Sequence, residues 1–133
     1  MTAAALETWH RLAREHDADG LASLLAETAV FHSPVVHTPQ RGRKLATWYL
    51  AAAFKVFMNP TFRYVREIEG PSDAVLEFEA VIDGVHVNGV DLIRWNDAGQ
   101  IVDFKVMLRP LKAIEVIHRR MAAVLEGSSS PDA

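Results

Sequence analysis

Apolar side chains near the start of the chain recur at three- and four-residue steps. Leu6, Trp9, Leu12, Ala13 and His16 therefore share one face of a helix. Asp19-Gly20 reads as the end of that helix, and Leu21, Leu24 and Leu25 mark a second, short one. Ala29 to Ser33 has the character of a brief strand closed by Pro34. From Pro34 to Gly42 two prolines and the closing glycine deny the chain a ladder or a helix and predict loop. Helical spacing returns from Arg43 to Val56, carried by Leu45, Trp48, Tyr49, Ala52, Ala53 and Val56.

Beyond Asn59-Pro60 the period falls to two. Phe62, Tyr64, Arg66 and Ile68 alternate with Arg63, Val65, Glu67 and Glu69, the pattern of a half-buried strand. Gly70 to Asp73 turns the chain, and Leu76, Phe78, Ala80 and Ile82 alternate with Glu77, Glu79 and Val81. Asp83-Gly84 is a two-residue hairpin signal, followed by a long strand from Val85 to Trp95. After a turn at Asn96 to Gly99, a last strand runs to Leu108. Pro110 suits the first turn of a closing helix whose face is Leu111, Ile114, Ile117, His118, Met121 and Leu125. Helices, an antiparallel meander, then a helix make an α+β fold, since nothing alternates in βαβ fashion. The elements predict one domain over residues 1–126 and a disordered tail over 127–133, where glycine, serines and proline follow one another.

Composition narrows the function classes. A chain of 133 residues is about one domain and buries roughly two thirds of its unfolded surface. With no cysteine it has no disulfide, thiolate zinc site or cysteine nucleophile. No apolar run approaches the ~20 residues that span a bilayer, and the basic-then-apolar signature of a leader is missing at the start, so a cytoplasmic protein without a membrane partner is expected. Fourteen basic against 17 acidic residues give no electrostatic reason to expect nucleic acid.

The candidate chemistry lies in the long strand. One of its faces carries Val85, Val87, Gly89, Asp91, Ile93 and Trp95, so Asp91 is a single carboxylate in an apolar row. If a curled sheet makes this face a cavity, desolvation raises the pKa of Asp91 and favours the neutral acid, which donates a hydrogen bond. The alternatives are that Asp91 pairs with a nearby Arg or Lys, or that its face is the exposed one.

The segment from Trp9 to Phe57, with Asp17-Ala18-Asp19-Gly20, Ala29 to Pro34 and Gln40-Arg41-Gly42 opening a helix, resembles the front half of the NTF2-like superfamily, which includes SnoaL-like polyketide cyclases and ketosteroid isomerases. Gly89 to Val102 resembles that family's hairpin, with Gln100 in place of a basic residue. The resemblance implies N-terminal helices on a strongly curved, mainly antiparallel sheet forming a cone over a small-molecule pocket, often as a homodimer. On the isomerase register, Asp91 falls on the oxyanion-hole aspartate, Ser33 on the general-base aspartate and Trp9 on the oxyanion-hole tyrosine. Ser33 is no base at ordinary pKa, which argues against steroid isomerisation as such. The Asp-Arg-Asp set of limonene-epoxide hydrolases is not matched either, because Gly89 and Val106 stand at two of its positions.

Histidine titrates near neutrality, so His37, in the Pro-bracketed loop, is the candidate base in place of Ser33. Alternation puts His32 on the opposite face. A metal site from His32, His37 and Asp91 would need a facial arrangement that nothing in their spacing demands. The residues expected to line an apolar ligand are Trp9, Phe31, Ser33, Tyr49, Phe78, Phe104 and Val106. The expectation is a cofactor-independent, metal-free isomerase, cyclase or hydrolase acting by acid–base chemistry on an apolar carbonyl or polyketide-like molecule. A non-catalytic ligand-binding or dimerisation module is the alternative. The outer face of the sheet, with valines and leucines among charges, is the expected homodimer surface.

Overall fold

The computed structural model describes residues 4–128, 130 and 131. Its order is α1 (Ala4–Glu15), α2 (Ala18–Leu24), β1 (Leu25–His32), β2 (Gln40–Arg41), α3 (Arg43–Phe57), β3 (Arg63–Glu69), β4 (Asp73–Ile82), β5 (Val85–Trp95), β6 (Ile101–Arg109) and α4 (Leu111–Glu126). Helix α1 stops at Glu15, earlier than Asp19-Gly20. His16 adopts a left-handed φ of 53°, and the Asp17 N–H reaches back to the Leu12 carbonyl at 3.0 Å, which closes the helix. Asp17 then caps α2, its Oδ1 accepting the Gly20 N–H at 2.9 Å. Leu25 opens β1 instead of ending α2, because its backbone is extended.

The sheet has six strands in the order β2-β1-β6-β5-β4-β3. The meander from β3 to β6 is antiparallel, as its alternation predicts. Two pairings were not expected. Strand β1 lies parallel to β6, with Phe31 beside Phe104, and the predicted loop contains a short strand, Gln40–Arg41, antiparallel to β1. At the β4–β5 hairpin Asp83 and Gly84 both have positive φ, 52° and 76°, the pair that a tight two-residue turn requires.

Parity along the strands decides what is inside. On β4, Ala74, Leu76, Phe78, Ala80 and Ile82 are buried, and on β5 the buried set includes Val87, Asp91, Ile93 and Trp95. The three N-terminal helices and α4 close over this concave face, with Leu6, Trp9, Leu12, Leu21, Leu50 and Ile117 among the fully buried side chains. The result is an α+β cone whose sheet is not closed. Gly89 sits where the curved sheet meets Phe78. A Cβ there would lie 2.6 Å from the Phe78 ring and 2.7 Å from the Met107 carbonyl, so no side chain fits at this point.

Strand β3 departs from the half-buried pattern. Its register slips between Tyr64 and Arg66, a bulge that moves later residues to the other face. As an edge strand it has cover from one neighbour only, and Val65 and Ile68 are 41% and 57% exposed. Among the described residues no helix is long and apolar enough to cross a membrane. Of the tail expected over 127–133, Gly127 caps α4 and the Ser128 hydroxyl donates to the Val124 carbonyl at 3.1 Å. Positions 129, 132 and 133 lie outside the described residues.

Candidate functional site

Asp91 is 6% exposed. Its neighbours across the ladder are Leu76 on β4 and Val106 on β6, so neither adjacent strand offers it a cation. Its partner is Tyr64, whose hydroxyl donates to Asp91 Oδ2 at 2.7 Å. The Trp9 indole N–H in turn donates to the Tyr64 oxygen at 3.0 Å. The three groups form one relay from α1 through β3 to β5, ending on a carboxyl in apolar surroundings.

The electrostatics follow from this placement. Burial pushes the Asp91 carboxyl up to about 7, and the hydrogen bond from Tyr64 pulls against part of that rise. Burial likewise raises the Tyr64 phenol well above its ordinary value, and the Asp91 charge adds to it. Near neutral pH the site therefore holds a carboxylic acid in substantial proportion. The neutral form has a proton to donate to an oxygen, as a solvated carboxylate does not.

Asp91 faces a chamber of about 30 Å³. Its walls are rings and aliphatics from α1, α3, β4 and β6, among them Trp9, Phe54, Phe57, Phe78, Phe104 and Val106, closed by Met58 and Phe62. The space is water-sized, well below the several hundred Å³ of a typical ligand pocket. Outside it, between α1 and β3, lies a solvent-open groove of about 920 Å³. Met58 and Phe62 border both spaces, and Tyr64 lines the groove while bonding Asp91.

Of the residues expected from sequence, Trp9, Phe78, Phe104 and Val106 line the chamber with Asp91. The others stand elsewhere. Phe31 is buried behind the wall, stacked on Tyr49 at 5.7 Å and near Phe104 at 6.2 Å, so neither it nor Tyr49 reaches the chamber. The Ser33 Oγ accepts the Val35 N–H at 3.1 Å, a local turn contact in its loop. His37 is exposed on that loop and does not line the chamber. The Pro-bracketed stretch turns outward because β2 ties its far end to β1 at the sheet edge.

Sequence reading missed Tyr64. Its position two residues after Phe62 in an apolar alternation was the available signal. A phenol in such a row needs a partner for its hydroxyl when buried.

A family model described as a SnoaL-like domain matches residues 6–104. The chain is 36% identical to a steroid delta-isomerase from Pseudomonas aeruginosa, with a TM-score of 0.89 over 94% of this chain and 91% of that one. It is 30% identical to a bacterial protein of cystatin-like fold from Silicibacter pomeroyi DSS-3, with a TM-score of 0.85 over 92% of this chain and 85% of that one. It shares the fold of SalBIII, an epoxide hydrolase/cyclase-like enzyme of pyran-ring formation in polyether salinomycin, at 18% identity and a TM-score of 0.65 over 79% of this chain and 88% of that one. No curated protein sequence matches.

Proposed function

We propose that this chain, which belongs to the SnoaL-like domain family, is an acid–base catalyst that acts without a cofactor on a small apolar carbonyl compound, in the manner of an isomerase or cyclase. The observation that carries the reading is the Trp9–Tyr64–Asp91 relay ending on a buried carboxyl. Asp91, as the neutral acid, donates to the carbonyl oxygen and stabilises the charge that develops there when a neighbouring carbon loses a proton. Tyr64 and Trp9 hold the carboxyl in place, so little reorganisation is needed as the charge forms. The similarity to a steroid delta-isomerase supports the substrate class, although Ser33 cannot supply the base.

The open groove, bordered by Met58 and Phe62, supports a second reading, a non-catalytic module that holds an apolar ligand there. The two separate in deuterium oxide. With an apolar ketone, the catalyst exchanges α-hydrogens faster than buffer, and Asp91→Asn loses roughly 10²- to 10³-fold of that rate. Stabilisation by the ketone without exchange would leave the binding module. The outer face of the sheet, where Ile68 and Met107 are 57% and 50% exposed, is proposed as a homodimer surface, and sedimentation as a monomer at micromolar concentration would contradict it.

A further inference from the structure

The relay has an acid but no base, and the bulge in β3 supplies a candidate. Before the slip, Tyr64 pairs with Phe78, which faces inward. After it, Arg66 pairs with Glu77 and Glu67 with Leu76. Leu76 is fully buried, whereas Arg66 meets Glu77 in an ion pair at 3.2 Å with the Arg66 side chain 69% exposed. The extra residue therefore puts Glu67 on the same side as Tyr64, where unbroken alternation would have put Arg66. There Glu67 meets His10, with Nε2 to Oε1 at 2.5 Å. Nε2 makes no hydrogen bond there, so the close approach of the carboxylate fixes the ring by position alone. The imidazole stands edge-on to the Tyr64 ring at 5.1 Å. His10 follows Trp9 on α1, so adjacent residues of one helix address the hydroxyl and the ring of the same tyrosine. Both His10 and Glu67 line the open groove, and the His10 side chain remains 23% exposed.

We propose that His10, oriented by Glu67, is the catalytic base of this site, and that the groove between α1 and β3 holds the body of a substrate whose carbonyl points past Met58 and Phe62 toward Asp91. The inference rests on the acid–base reading above. A neutral imidazole has one ring nitrogen with a free lone pair, and that nitrogen is the acceptor. In the step, the Cα–H bond of the carbonyl compound breaks and its proton passes to the lone-pair nitrogen of His10. The electron pair moves into a new C=C bond, and the carbonyl π pair moves to the oxygen that Asp91 addresses. When the proton on His10 has been replaced by a solvent deuteron, its return to the same carbon gives exchange, and return to a vinylogous carbon gives isomerisation. No oxidant or co-reactant is required. Glu67 is a positioning residue.

The test uses 2-tetralone, an apolar ketone with activated α-hydrogens, followed by NMR in deuterium oxide. Wild type is expected to exchange above buffer, and His10→Ala to lose at least ~10²-fold of that rate, with partial recovery on adding imidazole, which the open groove admits. Glu67→Gln is expected to lose less, with Glu67→Asp recovering part of the loss. His10→Gln replaces His10→Ala if circular dichroism shows the alanine variant unfolded. Exchange that falls in Asp91→Asn but persists in folded His10 variants would overturn the dyad and leave the acid in place. No exchange by wild type would remove the catalytic reading itself, and the dyad with it.

Discussion

Two aspartates on neighbouring strands of one sheet have opposite surroundings. Asp91 on β5 points into the cone, sits between Leu76 and Val106, and takes its hydrogen bond from the half-buried Tyr64. Asp103 on β6 points outward, stands across from Arg94, and meets His32 Nε2 at 2.8 Å with its side chain 39% exposed. Side-chain direction alone separates them. The outer carboxyl keeps its contact with water and meets the part-exposed His32 ring, the kind of surface contact that contributes about 0–1 kcal/mol. The inner one loses its water and becomes a weak acid near neutrality. The two faces of a single β-sheet thus give the same side chain opposite surroundings.

The largest expected effect belongs to the inner aspartate and depends on pH. Below about 4 the Asp91 carboxyl is protonated in both folded and unfolded chains. Between about 4 and about 7 the unfolded chain has released the proton while the folded one retains it. Stability contributed by this group is therefore present at low pH and lost as pH rises through that window, by an amount of order 4 kcal/mol. Asp91→Asn abolishes the dependence, so urea melts of the variant should gain on wild type from about pH 4 to about pH 7 and level off above that. Parallel curves would mean that Asp91 ionises as an ordinary solvated aspartate does.

Gly89→Ala acts on the geometry that closes the chamber. With 2.6 Å between the new Cβ and the Phe78 ring, overpacking should cost about 1–3 kcal/mol, visible as a lower denaturation midpoint. Tyr64→Phe sharpens the comparison further. Loss of the donated hydrogen bond should raise the Asp91 pKa above its wild-type value, since that bond favours the ionised form, at a stability cost of about 1–3 kcal/mol. Asp103→Asn should change stability by less than about 1 kcal/mol, and salt should shrink even that.

Much of the inner face was legible in the sequence, because β4 and β5 keep strict alternation and Asp91 breaks an apolar row. The parallel pairing of β1 with β6 was not, since it joins residues about seventy positions apart and leaves no local signal. Glu67 was missed for another reason. It reaches the side of Tyr64 only through a bulge at Val65, and alternation carries no mark of a one-residue slip. The smallness of the chamber was hidden too, because volume is set by how Trp9, Phe54, Phe57, Phe78 and Phe104 interlock, and composition reports only that they are large. His37 looked suitable by residue type, but β2 draws its loop to the sheet edge.

The central claim is that Asp91 is a buried acid, and carbon-13 NMR of its side-chain carboxyl through a pH titration tests it most directly. A midpoint near 7, moving upward in Tyr64→Phe, is the predicted result. A midpoint in the ordinary aspartate range near 4, unmoved by that substitution, would contradict the claim.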